Sequence, residues 1–352
     1  MSLRYKCYRL SLGLLLYIFT ASASLAHSPE GATDTAVIQS AQMAQYSRPG
    51  HKRPPPPGGH KMRPPRGGAL QNGGFGGRPP TRNHTAIQKG QLNLIPATEQ
   101  PIAENRVRVR VEGDIRFIEA NSISRHKTGR FPNSGNPHAI RAQSIRYRIS
   151  ASPRLNGRAA YFALGVFGIG INGVVLDPQA AEWYAGKHGS AWQYDPLGAA
   201  VPLGLDANSA HVQPNGTYHY HGQPDGLLAQ LSFSKSTHSP LVGWALDGFP
   251  IYALIGRKTN GELSEMRSSW RLKSGNRPIS NGAPGGYYDG TFIADYEYIR
   301  GTGDLDECNG VQVVTPDFPH GTYAYFLTRG FPVIPRCHSG TPIEHIGPRK
   351  RK

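Results

Sequence analysis

From residue 106 the chain reads Arg106-Val107-Arg108-Val109-Arg110-Val111, and strict alternation of a charge with a β-branched side chain admits one regular structure. Successive side chains of a strand point to opposite faces, so the valines line one side and the arginines the other. A helix would scatter both sets around its surface. Glu112-Gly113-Asp114 then turns the chain into Ile115-Arg116-Phe117-Ile118, which predicts a hairpin. Ile145-Arg146-Tyr147-Arg148-Ile149 alternates in the same way, and β-branched or aromatic runs follow at 161–176, 216–221, 241–255 and 322–328. Gly, Pro, Asn and Asp separate them. One helix is expected, over Pro178 to Lys187. Short strands with frequent turn signals predict a mainly β fold, a sandwich-like antiparallel β domain with few short helices.

Composition limits where that domain can begin. Pro49 to Pro80 holds nine prolines and nine glycines in 32 residues. Such a stretch cannot bury enough apolar surface to offset its ordering entropy. Residues 27–103 are therefore expected to be a disordered, basic Pro/Gly-rich linker, residues 104–346 the β domain and 347–352 a basic tail. Before the linker, Met1 to Ala26 has a basic start at Arg4, Lys6 and Arg9, an apolar run through Leu14 to Phe19 and small residues at its end. That is the layout of a secretory signal peptide. No later segment approaches the length of apolar chain that crosses a bilayer. An exported protein, periplasmic or extracellular, is expected.

The formal charge of +16 suggests nucleic acid until it is located. Residues 90–348 hold 23 basic against 21 acidic side chains, so the surplus lies in the linker and the termini. A basic tail on a nearly neutral body fits loose attraction to an anionic surface such as the cell envelope, and no specific nucleic-acid partner. Cys7 falls inside the signal segment, leaving Cys308 and Cys337 in the mature chain. An even count in an oxidising compartment predicts that they pair.

Asn215-Gly216-Thr217-Tyr218-His219-Tyr220-His221-Gly222 concentrates the chemistry. On a strand, Thr217, His219 and His221 share one face while Tyr218 and Tyr220 share the other. Gly321-Thr322-Tyr323-Ala324-Tyr325-Phe326 repeats the tyrosines and drops the histidines, which marks the tyrosine side as packing and the histidine side as special. Two imidazoles two residues apart can reach one ion, and neutral imidazole suits zinc or copper. His211 precedes the turn sequence Pro214-Asn215-Gly216, so it can fold back beside His219 as a third ligand. Asp247, with Asp206 and Asp225, is a candidate to complete the shell or to hydrogen-bond a ligating ring. His138, His188 and His238 stand alone and are read as surface or satisfied core residues.

These segments carry a resemblance. Ala210 to Gly222, Gly243-Trp244-Ala245-Leu246-Asp247-Gly248-Phe249-Pro250-Ile251-Tyr252, Leu305 to Gly310 and Phe331 to Cys337 are together similar to the YHYH-domain family, over about residues 145–345. The resemblance implies a secreted or periplasmic bacterial domain and names no reaction. His338 stands where an apolar or aromatic residue is expected.

Asp304-Leu305-Asp306-Glu307-Cys308-Asn309-Gly310 brings its Asn and Gly one place too late for an EF-hand loop. No G-x-S-x-G, H-E-x-x-H or P-loop pattern occurs, which removes three large enzyme groups. Two readings stand: a metal site built on His211, His219 and His221, or a non-catalytic envelope module whose exposed tyrosines and tryptophans bind a polymer.

Overall fold

The structure, a computed structural model, describes residues 83–258, 260–280 and 282–343. The expected signal segment, the part of the expected linker up to residue 82 and the expected basic tail lie outside the described residues.

The alternating segments form strands as their period requires. β1 (Val107–Glu112) and β2 (Ile115–Ala120) make a hairpin whose tight loop uses Gly113 at φ +56. β3 (Ile145–Ser150) pairs antiparallel with the free edge of β2. Along the chain follow β4 (Leu155–Tyr161), β5 (Gly168–Gly170), β6 (Val175–Leu176), β7 (Ala210–Val212), β8 (Tyr218–Tyr220), the short α-helix α1 (Asp225–Gln230), β9 (Gly243–Ala245) and β10 (Pro250–Ala253). Two small ribbons, β11 (Ile255–Arg257) with β12 (Leu263–Glu265) and β13 (Trp270–Leu272) with β14 (Tyr296–Tyr298), lead to β15 (Gly310–Thr315), β16 (Phe318–Leu327) and β17 (Cys337–Gly340). The last strand returns to pair with β4.

The main sheet has eight strands in the order β15-β16-β10-β9-β5-β6-β8-β7. Most neighbours are antiparallel, but β10 with β16 and β6 with β8 run parallel, so the sheet is mixed rather than purely antiparallel. The three-stranded sheet covers one side of it, with Ile118, Tyr147 and Ile149 packed on Ile169 and Val175. On the large sheet Phe167, Leu176, Val212, Tyr218, Tyr220, Leu227, Phe249 and Tyr325 belong to the principal core. Each large apolar side chain buried there contributes about 1.5–3 kcal/mol. Arg116 points inward with its guanidinium 3.5 Å above the Trp244 ring, and burial lowers its pKa to about 10.

Two expectations need correction. Pro178 to Lys187 is not helical: Tyr184 N–H donates to Trp192 O at 2.9 Å and Tyr194 N–H to Glu182 O at 3.0 Å. Pairing between distant backbone groups, with Ala180 and Tyr194 buried in one cluster, overrides the local pattern. Residues 83–103, expected to belong to the disordered linker, instead lie along the β domain. Ile95 N–H donates to Leu205 O, Ala207 N–H to Ile95 O, and Glu99 and Thr128 exchange both their backbone bonds. Tyr194 Oη and the buried Arg277 bond the carbonyls of Ala86 and Ile87. Backbone bonds dominate this attachment, and hydropathy carries no trace of those. Cys308 and Cys337 form a disulfide with Cα atoms 5.2 Å apart, tying the start of β15 to β17.

Candidate metal centre

β7 and β8 are joined by the expected turn. Gln213 N–H donates to Thr217 O, Gly216 sits at φ +92, and Thr217 N–H is held by the Asn215 side chain. The register places His211 directly opposite His219, with Ala210 facing Tyr220 and Val212 facing Tyr218. His221 continues the strand as its N–H donates to Ser209 O. The three imidazole centroids form a triangle with every side 4.7 Å.

Each ring offers one nitrogen to a common point, and these atoms lie within 4.8 Å of one another. The backbone selects which nitrogen. His211 Nδ1 lies 2.8 Å from Leu203 O and His219 Nδ1 lies 3.1 Å from Thr217 O, so both protons are held there and both Nε2 atoms are bare. His221 Nε2 is 3.0 Å from His211 Nε2. His221 Nδ1 faces the Asp177 backbone without a hydrogen bond of ordinary geometry. Two ring nitrogens this close need a proton or a cation between them. Ligands at 2.0–2.1 Å around a tetrahedral zinc stand about 3.3 Å apart, so the His211–His221 pair already has near-ligating spacing, and small side-chain shifts bring a set within 4.8 Å onto one ion. Three imidazoles close enough to hold one metal ion are thus present.

Electrostatics prepares the same state. Burial holds His219 and His221 well below the usual histidine range, with the neighbouring rings of the cluster adding to the effect and Arg336 also acting on His221. His211 is lowered by burial too, against the pull of its Leu203 bond. All three rings are neutral at pH 7 and present lone pairs. Carboxyl groups lie close by. Burial raises the Asp177 carboxyl to about 7, against the pull of Arg336, and the Asp206 carboxylate draws the His211 pKa upward.

The tyrosine side of β8 is anchored in the core as the alternation requires. Tyr218 Oη donates to Asp206 Oδ2 at 2.7 Å, and Asp206 also accepts from Gly129 and Asn208 N–H. Tyr220 Oη lies 2.6 Å from His126 Nε2 and accepts from Asn172. In the echo strand β16, Tyr323 donates to Asp306 and Tyr325 to Asp247, at 2.8 and 2.5 Å. Both tyrosine pairs therefore pin a strand to the core, in three of four cases through a carboxylate, of which Asp206 and Asp247 are buried.

That assignment removes Asp247 from the ligand set. Its carboxylate accepts from Tyr325 Oη and from Gly340 N–H, and it is not one of the residues whose ligand atoms converge. Asp206 supports the site through Tyr218, and Asp225 opens α1. His338 behaves as the aromatic residue expected there: it stacks on Phe162 and Phe167, each at 5.1 Å, and bonds Phe167 O. His238 lies edge-on to Tyr252, 5.0 Å away. His126, Asn172 and Asp177 support the site from distant parts of the chain and belong to no motif, so only the long-range pairing reveals them.

The profile of the YHYH protein family matches residues 146–340. This span covers more than half of the chain and contains β7, β8 and all three clustered histidines. The chain belongs to the YHYH protein family. No curated protein and no solved structure matches it.

Proposed function

We propose that this protein is an exported metal-binding module in which His211, His219 and His221 hold one first-row ion, zinc or copper. The convergence of three neutral imidazoles, two buried and one half-buried, carries the reading: Nδ1 of two of them is tied to backbone, which leaves Nε2 for the metal. An all-nitrogen set without thiolate or carboxylate suits zinc or copper over calcium, magnesium or manganese. Three protein ligands leave a fourth position for water or a small ligand. The signal-like segment and the Cys308–Cys337 bridge support export, and among the described residues no helix is long and apolar enough to cross a membrane. The basic tail supports attraction to an anionic envelope surface. The polymer-binding alternative has little support from the tryptophans and the YHYH tyrosines, because Tyr218, Tyr220 and Trp183 are buried and the other three tryptophans are half-buried; it would rest on exposed rings such as Tyr161 and Tyr287.

Elemental analysis of protein purified from its native compartment tests the reading. The expected result is about one zinc or copper per chain in the wild type and loss of that metal in His219→Ala. Equal metal content in both proteins overturns it.

A further inference from the structure

The arginines that alternate along β1 and β3 share the face of the three-stranded sheet that is turned away from the core. Register sets Arg108, Glu119 and Arg146 in one row across the strands and Arg110, Phe117 and Arg148 in the next. Residues two apart on a strand are separated by about 7 Å and neighbouring strands by about 4.8 Å, so four guanidinium stems leave a patch of roughly 7 by 10 Å. In the second row, Arg110 and Arg148 cover Phe117 at 4.1 and 5.7 Å, and Arg110 also pairs with Glu112. The first row opens onto a groove of about 490 Å³ lined by Arg106, Arg108, Arg125 and Arg146, with Glu119 its single carboxylate.

Among the described residues none of these four arginines takes part in an ion pair, and only Arg125 has a side-chain partner, its Nε donating to Asn105 at 2.9 Å. Residues 90–348 are close to charge balance, so the cluster is not a by-product of composition. Glu119 stands between Arg108 and Arg146 in the row and offsets one of the positive charges, so the groove keeps a net positive charge that an anion can neutralise.

We propose that this groove binds an acidic oligosaccharide, a short chain of sugar rings bearing carboxylates. Arginine forks match carboxylates, and the volume falls in the range of sites that take small organic ligands. No aromatic side chain lines the groove, so the bases of a single-stranded nucleic acid have no surface to stack on. Of its apolar residues, Val107, Ala120 and Ile145 pack against the core beneath and Ala142 is a single methyl group, so the groove has no large apolar side chain to insert into lipid. Two of its three strands precede residue 146, where the family match begins, so the groove belongs to this chain's own hairpin. It is independent of the histidine cluster.

Calorimetric titration of the full chain with trigalacturonate at physiological salt decides the matter. Any attraction by the basic tail is common to all variants. Arg108→Gln/Arg125→Gln/Arg146→Gln should weaken binding by about tenfold or more. Arg154→Gln/Arg158→Gln/Arg300→Gln removes the same charge from other exposed positions and should change it by less than about twofold. Glu119→Gln deletes the opposing carboxylate and should tighten binding by about twofold or more. Equal loss in the two triple variants, no binding by the wild type, or no gain from Glu119→Gln overturns the proposal. So does tighter, groove-dependent binding of a single-stranded oligonucleotide or of phosphatidylserine vesicles than of polygalacturonate.

Discussion

His211 and His219 face each other on adjacent strands and His221 closes the triangle, so the ligand set depends on three side chains whose protonation is set by burial. Burial lowers the pKa of each ring, and a proton displaces a metal from imidazole only below that lowered pKa. Metal affinity should therefore stay nearly constant from about pH 8 down to about pH 6.5, the ordinary histidine value, and fall only below it. A titration series over pH checks this, and a steep loss centred near 6.5 contradicts it. Asp247 gives the complementary prediction. Its carboxylate holds Tyr325 and the Gly340 backbone, so Asp247→Asn should destabilise the fold by about 1.5–3 kcal/mol and leave metal stoichiometry unchanged. Urea unfolding with parallel metal analysis measures both. The histidines could be found in the sequence because period-two alternation and the Pro214-Asn215-Gly216 turn act locally. Asp247 was misplaced because its nearest partner, Tyr325, lies 78 residues away.

Among the elements, those with a local signature were legible. The β1–β2 hairpin, β3, β8 and the echo strand β16 occur where alternation and turn residues place them, and β7 lies before the 214–216 turn that was expected to fold His211 back. The 178–187 segment failed because its backbone partners at 192 and 194 lie across a loop, and the helical spacing of Ala180 and Tyr184 arose from packing in a separate cluster. The 83–103 segment failed because bonds between backbones leave no mark on composition. It follows that a chain starting at residue 104 should melt about 5 °C or more below one starting at 83, since it loses the contacts to Leu205, Thr128 and Arg277. Scanning calorimetry of the two settles it, and equal melting temperatures contradict the attachment. The Cys308–Cys337 bridge spans a sequence separation of 29, for which chain entropy gives roughly 3–4 kcal/mol. Reduced protein should unfold at correspondingly lower urea.

Over the whole molecule, a mixed sheet covered on one side by a smaller sheet supplies a rigid frame, and the family's histidines sit on its β7–β8 edge. Rigidity matters because the ring nitrogens are already convergent, so binding an ion costs little reorganisation. The tyrosine faces provide the frame and the histidine face the ligands, which makes the two separable by mutation. Calorimetric titration with zinc and with copper, comparing the wild type with His219→Ala/His221→Ala, is the most direct measurement. One site per wild-type chain, absent from a double variant whose far-ultraviolet circular dichroism is unchanged, is the predicted result. Equal affinity in the two proteins, or no binding of either metal by the wild type, contradicts a metal centre at His211, His219 and His221.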